Sequence, residues 1–147
     1  MNRPIRVVLA DRDPGFTESL GRYLDQQPHI KLVAVARDGQ GAVDACREFM
    51  PDVALLDLHL PVLDTVRAIA AIIEHNQRVK VLALTENPED RYTVEAVKAG
   101  ASGCLEKSEP ENYHKIVSAI QNVLEGEVLI SPRLASSILE EFQRISP

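Results

Sequence analysis

Side chains able to do chemistry stand at the ends of short apolar runs. Asp11, Arg12 and Asp13 follow the first run, and Asp57 closes the third. Thr85 and Glu86 close the fourth, and Lys107 follows the fifth. A carboxylate fixed at a strand end can attack phosphorus and form an acyl phosphate. The charge on the transferring group then needs cations and directed donors around it. Mg2+ held by carboxylates, waters and phosphate oxygens suits that task, with a lysine as a point charge and a threonine hydroxyl as one hydrogen bond. Asp11, Asp57, Thr85 and Lys107 supply such a set. Each alone is ordinary: threonines are common at strand ends, and lone aspartates often cap loops. Other chemistries find less support. His29, His59, His75 and His114 lack metal-ligand spacing and read as surface or loop residues. No Ser-His-Asp or Cys-His arrangement stands out, and Asp38-Gly39-Gln40-Gly41 reads as a turn into a helix, not a phosphate loop.

The elements that must position these residues follow from the hydrophobic pattern. Apolar runs at Ile5–Ala10, 31–36, 53–56, 79–84 and, weakly, 103–105 are continuous, as in strands buried on both faces of a parallel sheet. Helical periods lie between them: Phe16, Leu20, Tyr23 and Leu24; Ala42, Val43, Cys46 and Phe49; Val66, Ile69, Ala70 and Ile73; Val94 and Val97; and Tyr113, Ile116, Val117, Ile120, Val123 and Leu124. Asp13-Pro14, Asn87-Pro88 and Ser131-Pro132 each put a cap before a helix-opening proline, and Ser108 with Glu111 has capping-box spacing. Gly100 and Gly126 follow helix ends. Five β-α repeats predict an α/β fold: a doubly wound, five-stranded parallel sheet with helices on both faces. Ligands of such sheets bind outside the carboxyl ends of the strands, so the acids, hydroxyl and lysine converge on one edge.

The 147 residues suit one domain with its own core, at 45% hydrophobic and 26% charged. A net charge of −6 argues against direct nucleic-acid binding. No apolar run is long enough to span a membrane. The N-terminus lacks a signal-peptide core, and Cys46 and Cys104 sit in apolar settings, so a cytoplasmic protein with reduced thiols is expected.

Four motifs in order, IRVVLAD at 5–11, PDVALLDLHLP at 51–61, LALT at 82–85 and KAGASGCLEK at 98–107, resemble a response-regulator receiver domain. The wording is nearest the NarL/FixJ group of two-component transcription factors, which carry a LuxR-type helix-turn-helix. The resemblance covers residues 5 to about 126. It implies a flavodoxin-like receiver fold with strand order 2-1-3-4-5, and a signalling switch, not an enzyme beyond autophosphotransfer. It implies that Asp57 accepts phosphate from a sensor histidine kinase. It further implies that Asp11, Asp57 and the backbone carbonyl of His59 hold Mg2+, that Thr85 is the switch hydroxyl, and that Lys107 contacts the phosphoryl group. It implies a homodimer, and DNA contact through a separate C-terminal domain. The expected division is a receiver at 1–126 and, at 127–147, a linker with a partial helix carrying Leu134, Ile138, Leu139 and Phe142 on one face. The chain is expected to be the N-terminal part of a longer regulator.

Several positions depart from the family pattern. Arg12 stands where a second acid is usual, Glu86 where a small residue is usual, and Cys104 where an aromatic is usual. Leu63-Asp64-Thr65 replaces the customary glycine. Arginine keeps its charge and cannot ligate a metal. Arg12 is either an exposed loop residue or an ion-pair partner of Asp57 or Asp11 that mimics the missing cation. The second is favoured, because a guanidinium suits bidentate carboxylate pairing. Asp13 reads as a helix cap, Glu86 as solvent-facing or paired with Arg12, and Cys104 as a small buried apolar residue. The alternative function is a phosphorylation-independent pseudo-receiver, a module for dimerisation or protein interaction. A flavodoxin-like cofactor binder fits poorly, since tryptophan and a phosphate loop are lacking.

Overall fold

The computed structural model describes residues 3–107 and 109–145. Ser108, half of the expected capping box, and Ser146-Pro147 lie outside the described residues. The strands are β1 (Ile5–Ala10), β2 (Ile30–Ala36), β3 (Val53–Asp57), β4 (Lys80–Thr85) and β5 (Gly103–Glu106). The helices are α1 (Pro14–Asp25), α2 (Gly39–Phe49), α3 (Thr65–His75), α4 (Tyr92–Lys98), α5 (Tyr113–Leu124) and α6 (Pro132–Ile145). All strand pairings are parallel, in the order β2-β1-β3-β4-β5. The chain leaves β1 toward β2 on one side and returns with β3 on the other. The crevice between β1 and β3 is therefore the topological switch point.

Alternation along each strand divides the apolar runs between two cores. Val7 and Leu9 join Leu20, Leu24, Ile116, Ile120 and Val123 under α1 and α5. Val8 and Ala10 join Val43, Cys46, Ile69 and Ile72 under α2 and α3. Each fully buried leucine or isoleucine contributes about 1.5–3 kcal/mol, so these two faces hold the sheet. No helix among the described residues is long and apolar enough to cross a membrane.

Three sequence expectations need correction. On α3 the buried face is Thr65, Ala68, Ile69 and Ile72, while Ala70 is exposed. On α4 the small Thr93 and Ala96 turn inward, and Val94 and Val97 are only half-buried. Asn87-Pro88 opens a turn instead of α4: the Asn87 side chain accepts the Glu89 N–H (3.0 Å), and the helix begins at Tyr92, whose N–H goes to Asp90 (2.9 Å). Asp13 and Ser131 do cap, accepting the N–H groups of Gly15 (2.9 Å) and Leu134 (3.0 Å).

The tail folds back on the sheet. After α5 ends with Gly126 at φ 97°, Leu129 forms a parallel bridge with Gly103. Cys104 N–H donates to the Leu129 carbonyl (3.0 Å), and Leu129 N–H donates to that of Ser102 (2.8 Å). This covers part of the exposed edge of β5, where an unpaired strand would invite association. Beyond it, α6 lies against α4 through Leu134 and the Lys98–Glu141 ion pair (3.0 Å), and against the β4–α4 loop through a pair between Arg133 and Glu89. The expected apolar face of α6 is thus split: Leu134 is buried, Ile138 half-buried, and Leu139 and Phe142 face solvent. A Cβ on Gly103 would stand 2.4 Å from the Leu129 carbonyl oxygen. Gly103→Ala should therefore unseat this bridge. Losing about 1.4 kcal/mol of local stability corresponds to roughly tenfold faster amide exchange at Cys104 and Leu129. Hydrogen-exchange mass spectrometry reads this, and unchanged protection would refute it.

Candidate functional site

Asp11 follows the last residue of β1, and Asp57 is the last residue of β3, so the two carboxylates flank the switch-point crevice. Asp11 is fully buried, and Asp57 is 7% exposed. Lys107, just past β5, is brought to them because its N–H donates to the Thr85 carbonyl (2.7 Å). Its Nζ lies 2.7 Å from Asp11 Oδ2 and 2.9 Å from Asp57 Oδ1. The Phe16 ring lies beneath the ammonium, 5.0 Å from centroid to Nζ. Asp11 Oδ1 accepts the Asp13 N–H (2.9 Å), and Asp57 Oδ2 accepts that of His59 (3.3 Å).

Burial pushes the Asp11 carboxyl above the usual aspartate range; the Lys107 contact and the Asp13 N–H offset only part of that. For Lys107 burial opposes the charge, yet the two carboxylates prevail and hold its pKa above the ordinary lysine value. Two acids and one ammonium thus form a charged triad at the floor of a cleft of about 400 Å³, which Arg12, Thr85 and Glu86 also line.

Thr85 is buried, and its hydroxyl serves its own loop, donating to the Asn87 carbonyl and accepting the Asn87 N–H, both at 3.0 Å. Arg12 corrects an expectation. Among the described residues no ion pair joins it to Asp57, Asp11 or Glu86, and both Arg12 and Glu86 are exposed. Asp11 is buried while its chain neighbour Arg12 stands exposed at the rim of the cleft, and Lys107 already occupies the place between the two acids. Asp13 does not turn inward; one oxygen caps α1. Cys104 is partly buried, its thiol directed at the Thr93 carbonyl (3.7 Å) and pushed up to about 11 by burial, which leaves it an unreactive thiol.

Sequence reasoning missed Thr65 and Asp90 here, and the side-chain contact of His59. Thr65 Oγ1 donates to the Asp57 carbonyl (2.7 Å) and accepts the Leu60 N–H (2.9 Å), closing the β3–α3 loop. His59 Nε2 meets Asp90 Oδ2 at 2.5 Å, tying that loop to the β4–α4 loop, with Tyr92 edge-on to the imidazole. Burial acts to raise the Asp90 pKa, but the His59 contact and the Tyr92 N–H outweigh it and hold the carboxyl below its usual range. An aspartate cap followed by threonine, in Asp64-Thr65, was the signal available for Thr65; nothing local pairs His59 with Asp90.

The same loop stores strain at Val62, a β-branched residue at φ 73° that is 84% exposed. A left-handed conformation costs an L-residue roughly 1–2 kcal/mol, more than the roughly 0.5–1 kcal/mol of extra chain entropy glycine loses. Val62→Gly should therefore raise stability by about 0.5 kcal/mol, seen as a higher urea midpoint; a lower midpoint would contradict it.

Comparison with known proteins places this geometry. The family model described as response regulator receiver domain matches residues 7–121. The chain belongs to the response regulator receiver family. It is 30% identical over 141 residues to the transcriptional regulatory protein DegU of Brevibacillus brevis, covering 96% of this chain and 59% of DegU. The signal receiver domain of NarL from Mycobacterium tuberculosis matches with a TM-score of 0.79 at 30% identity, over 86% of this chain and 100% of that one. A LuxR-family two-component response regulator from Aurantimonas sp. SI85-9A1 matches with a TM-score of 0.80 at 31% identity, over 97% and 99%. The chain is a receiver domain of the NarL/LuxR type, and it spans less than two thirds of the length of curated relatives such as DegU.

Receiver domains generally bind Mg2+ at their acidic pocket. The donor set of this receiver does not fit that ion. Position 12 brings a guanidinium in place of an acid, and an oxygen of each remaining carboxylate is engaged by Lys107. Among the described residues no group of three or more His, Cys, Asp or Glu side chains is arranged to hold a metal.

Proposed function

We propose that this receiver takes a phosphoryl group onto Asp57 from the phosphohistidine of a sensor kinase and passes the change on to the rest of a transcriptional regulator. The observation that carries the reading is the Asp57 carboxylate, held at the end of β3 against Lys107 at 2.9 Å and facing the cleft. A carboxylate so placed is a nucleophile, and the ammonium beside it offsets the charge of the incoming group. Thr85 then has a reason to move. A phosphoryl oxygen competes with the Asn87 backbone for its hydroxyl, drawing the β4–α4 loop and α4 toward the site. Because α4 carries α6, the shift reaches the tail. The division proposed is a receiver at 1–126 and a linker at 127–147, with homodimerisation and DNA contact through a C-terminal domain completing the regulator.

One observation favours a second reading. Lys107 already balances both carboxylates, so the site is stable without phosphate, as in a pseudo-receiver that acts only by protein contact. Intact mass after incubation with acetyl phosphate or phosphoramidate separates the two. The acceptor reading expects a gain of one phosphoryl group that Asp57→Asn abolishes. No gain under any condition supports the pseudo-receiver.

A further inference from the structure

We propose that Arg12 takes the place of a divalent cation at this site, so that Asp57 captures a phosphoryl group without a metal ion. The inference rests on Asp57 being the acceptor. Arg12 lines the same cleft as Asp57, Thr85 and Lys107. Lys107 is committed to two carboxylates, whereas the exposed Arg12 pairs with no acid among the described residues. The other acids of the cleft do not claim it: Asp13 caps α1, Asp90 holds His59, and Glu86 is exposed. The guanidinium is thus free to meet a ligand, and its planar fork of N–H donors matches two oxygens of a phosphoryl group.

Charge gives the stronger argument. A carboxylate with a divalent cation on it carries one net positive charge, and a guanidinium carries the same. Exchanging an acid and its metal for an arginine preserves the charge that faces the transferring group. A guanidinium also needs no vacant ligand position, so Lys107 can stay on both acids. In the reaction an Asp57 oxygen attacks phosphorus. The new O–P bond forms as the bond from phosphorus to the donor's oxygen or nitrogen breaks. An acyl phosphate releases its carboxylate with the electron pair; a phosphoramidate releases its nitrogen, which takes a proton from water. Arg12 binds the equatorial oxygens throughout and is neither consumed nor deprotonated.

The test is intact mass against time with acetyl phosphate or phosphoramidate, in EDTA and in MgCl2, for the wild type, Arg12→Ala and Arg12→Asp, each checked for a native melting curve. The wild type is expected to gain one phosphoryl group in EDTA. Arg12→Ala should slow that metal-free rate about 100-fold, the scale for losing one oxyanion donor. Arg12→Asp should react only with Mg2+. Calorimetric titration with Mg2+ alone gives a readout independent of transfer: no binding to the wild type, binding to Arg12→Asp. Wild type reactive only with Mg2+, or Arg12→Ala as fast as wild type in EDTA, overturns the inference and leaves Asp57 as acceptor. Wild type inert in both media, with Arg12→Asp reactive in Mg2+, overturns the acceptor reading of this chain and the inference with it.

Discussion

Replacing Lys107 by methionine should lower stability by about 3 kcal/mol at neutral pH, the scale for stripping one partner from a buried ion pair. Its side chain is only 11% exposed, and its ammonium contacts Asp11 and Asp57 within 2.9 Å. Without it, two buried carboxylates face each other, and burial already pushes Asp11 above the usual range while Lys107 is present. One of the pair must then hold a proton. The sign follows from linkage. A folded-state pKa raised above the unfolded value of about 3.9 means that the folded state binds more protons in the interval between them. Stability of the variant therefore falls as pH rises from about 4 toward neutrality, and the deficit shrinks on acidification. Lys107 itself is raised above the ordinary lysine value, so in the wild type its contribution is present below about pH 10 and is lost as pH rises through the folded value. Urea midpoints at pH 5, 7 and 8 for both proteins read this difference. A deficit independent of pH would assign the loss to packing over Phe16 instead. Adding Asp11→Asn to Lys107→Met should recover much of the loss, since it removes one of the two unpaired charges.

That triad shows what the sequence made legible. Asp11 and Asp57 could be placed at one edge because the apolar runs before them are continuous strands, whereas Lys107 followed only a weak run at 103–105 and was placed there by the repeating β-α order. Which side chain would sit between the acids was not legible. It depends on the Lys107 N–H docking on the Thr85 carbonyl, a contact between segments far apart in sequence, and Arg12 was the natural but mistaken choice. The same limit explains α3. From Val66 to Ile73 nearly every residue is apolar, so periodicity could not choose among faces, and packing against α2 and the sheet did. On α4 the larger valines looked like the core, yet the fully buried Ala96 and the nearly buried Thr93 turn inward. The tail was readable as a capped helix through Ser131-Pro132. Its seat on α4 and the β5 edge was not, since Leu129 pairs with Gly103 through backbone atoms that leave no mark on side-chain pattern.

Gly39→Ala should cost about 3 kcal/mol, at the upper end for overpacking, although alanine is the better helix former by roughly 1 kcal/mol. The sequence offered Asp38-Gly39-Gln40-Gly41 as a turn into a helix, with both glycines alike. The structure separates them. A Cβ on Gly39 would stand 1.7 Å from the Leu63 carbonyl oxygen and 2.7 Å from its carbon. These are backbone atoms of the β3–α3 loop, and the Gly39 N–H already donates to the Pro61 carbonyl at 3.0 Å. The loop cannot step aside cheaply. Thr65 ties it to the Asp57 carbonyl at 2.7 Å, and Asp64 caps α3 through the Arg67 N–H at 2.9 Å. Relief must come by prising the N-terminus of α2 from the loop that follows Asp57, so the Leu60 amide, held by Thr65 at 2.9 Å, should lose exchange protection. Gly41→Ala is the control. Its added Cβ meets only side-chain atoms of Ala36 and Asp38, at 3.3 Å each, and should cost less than about 1 kcal/mol. Urea unfolding of the two variants side by side decides the matter. Equal costs would mean that local helix-start conformation, not the approach of the acceptor loop, requires glycine at position 39.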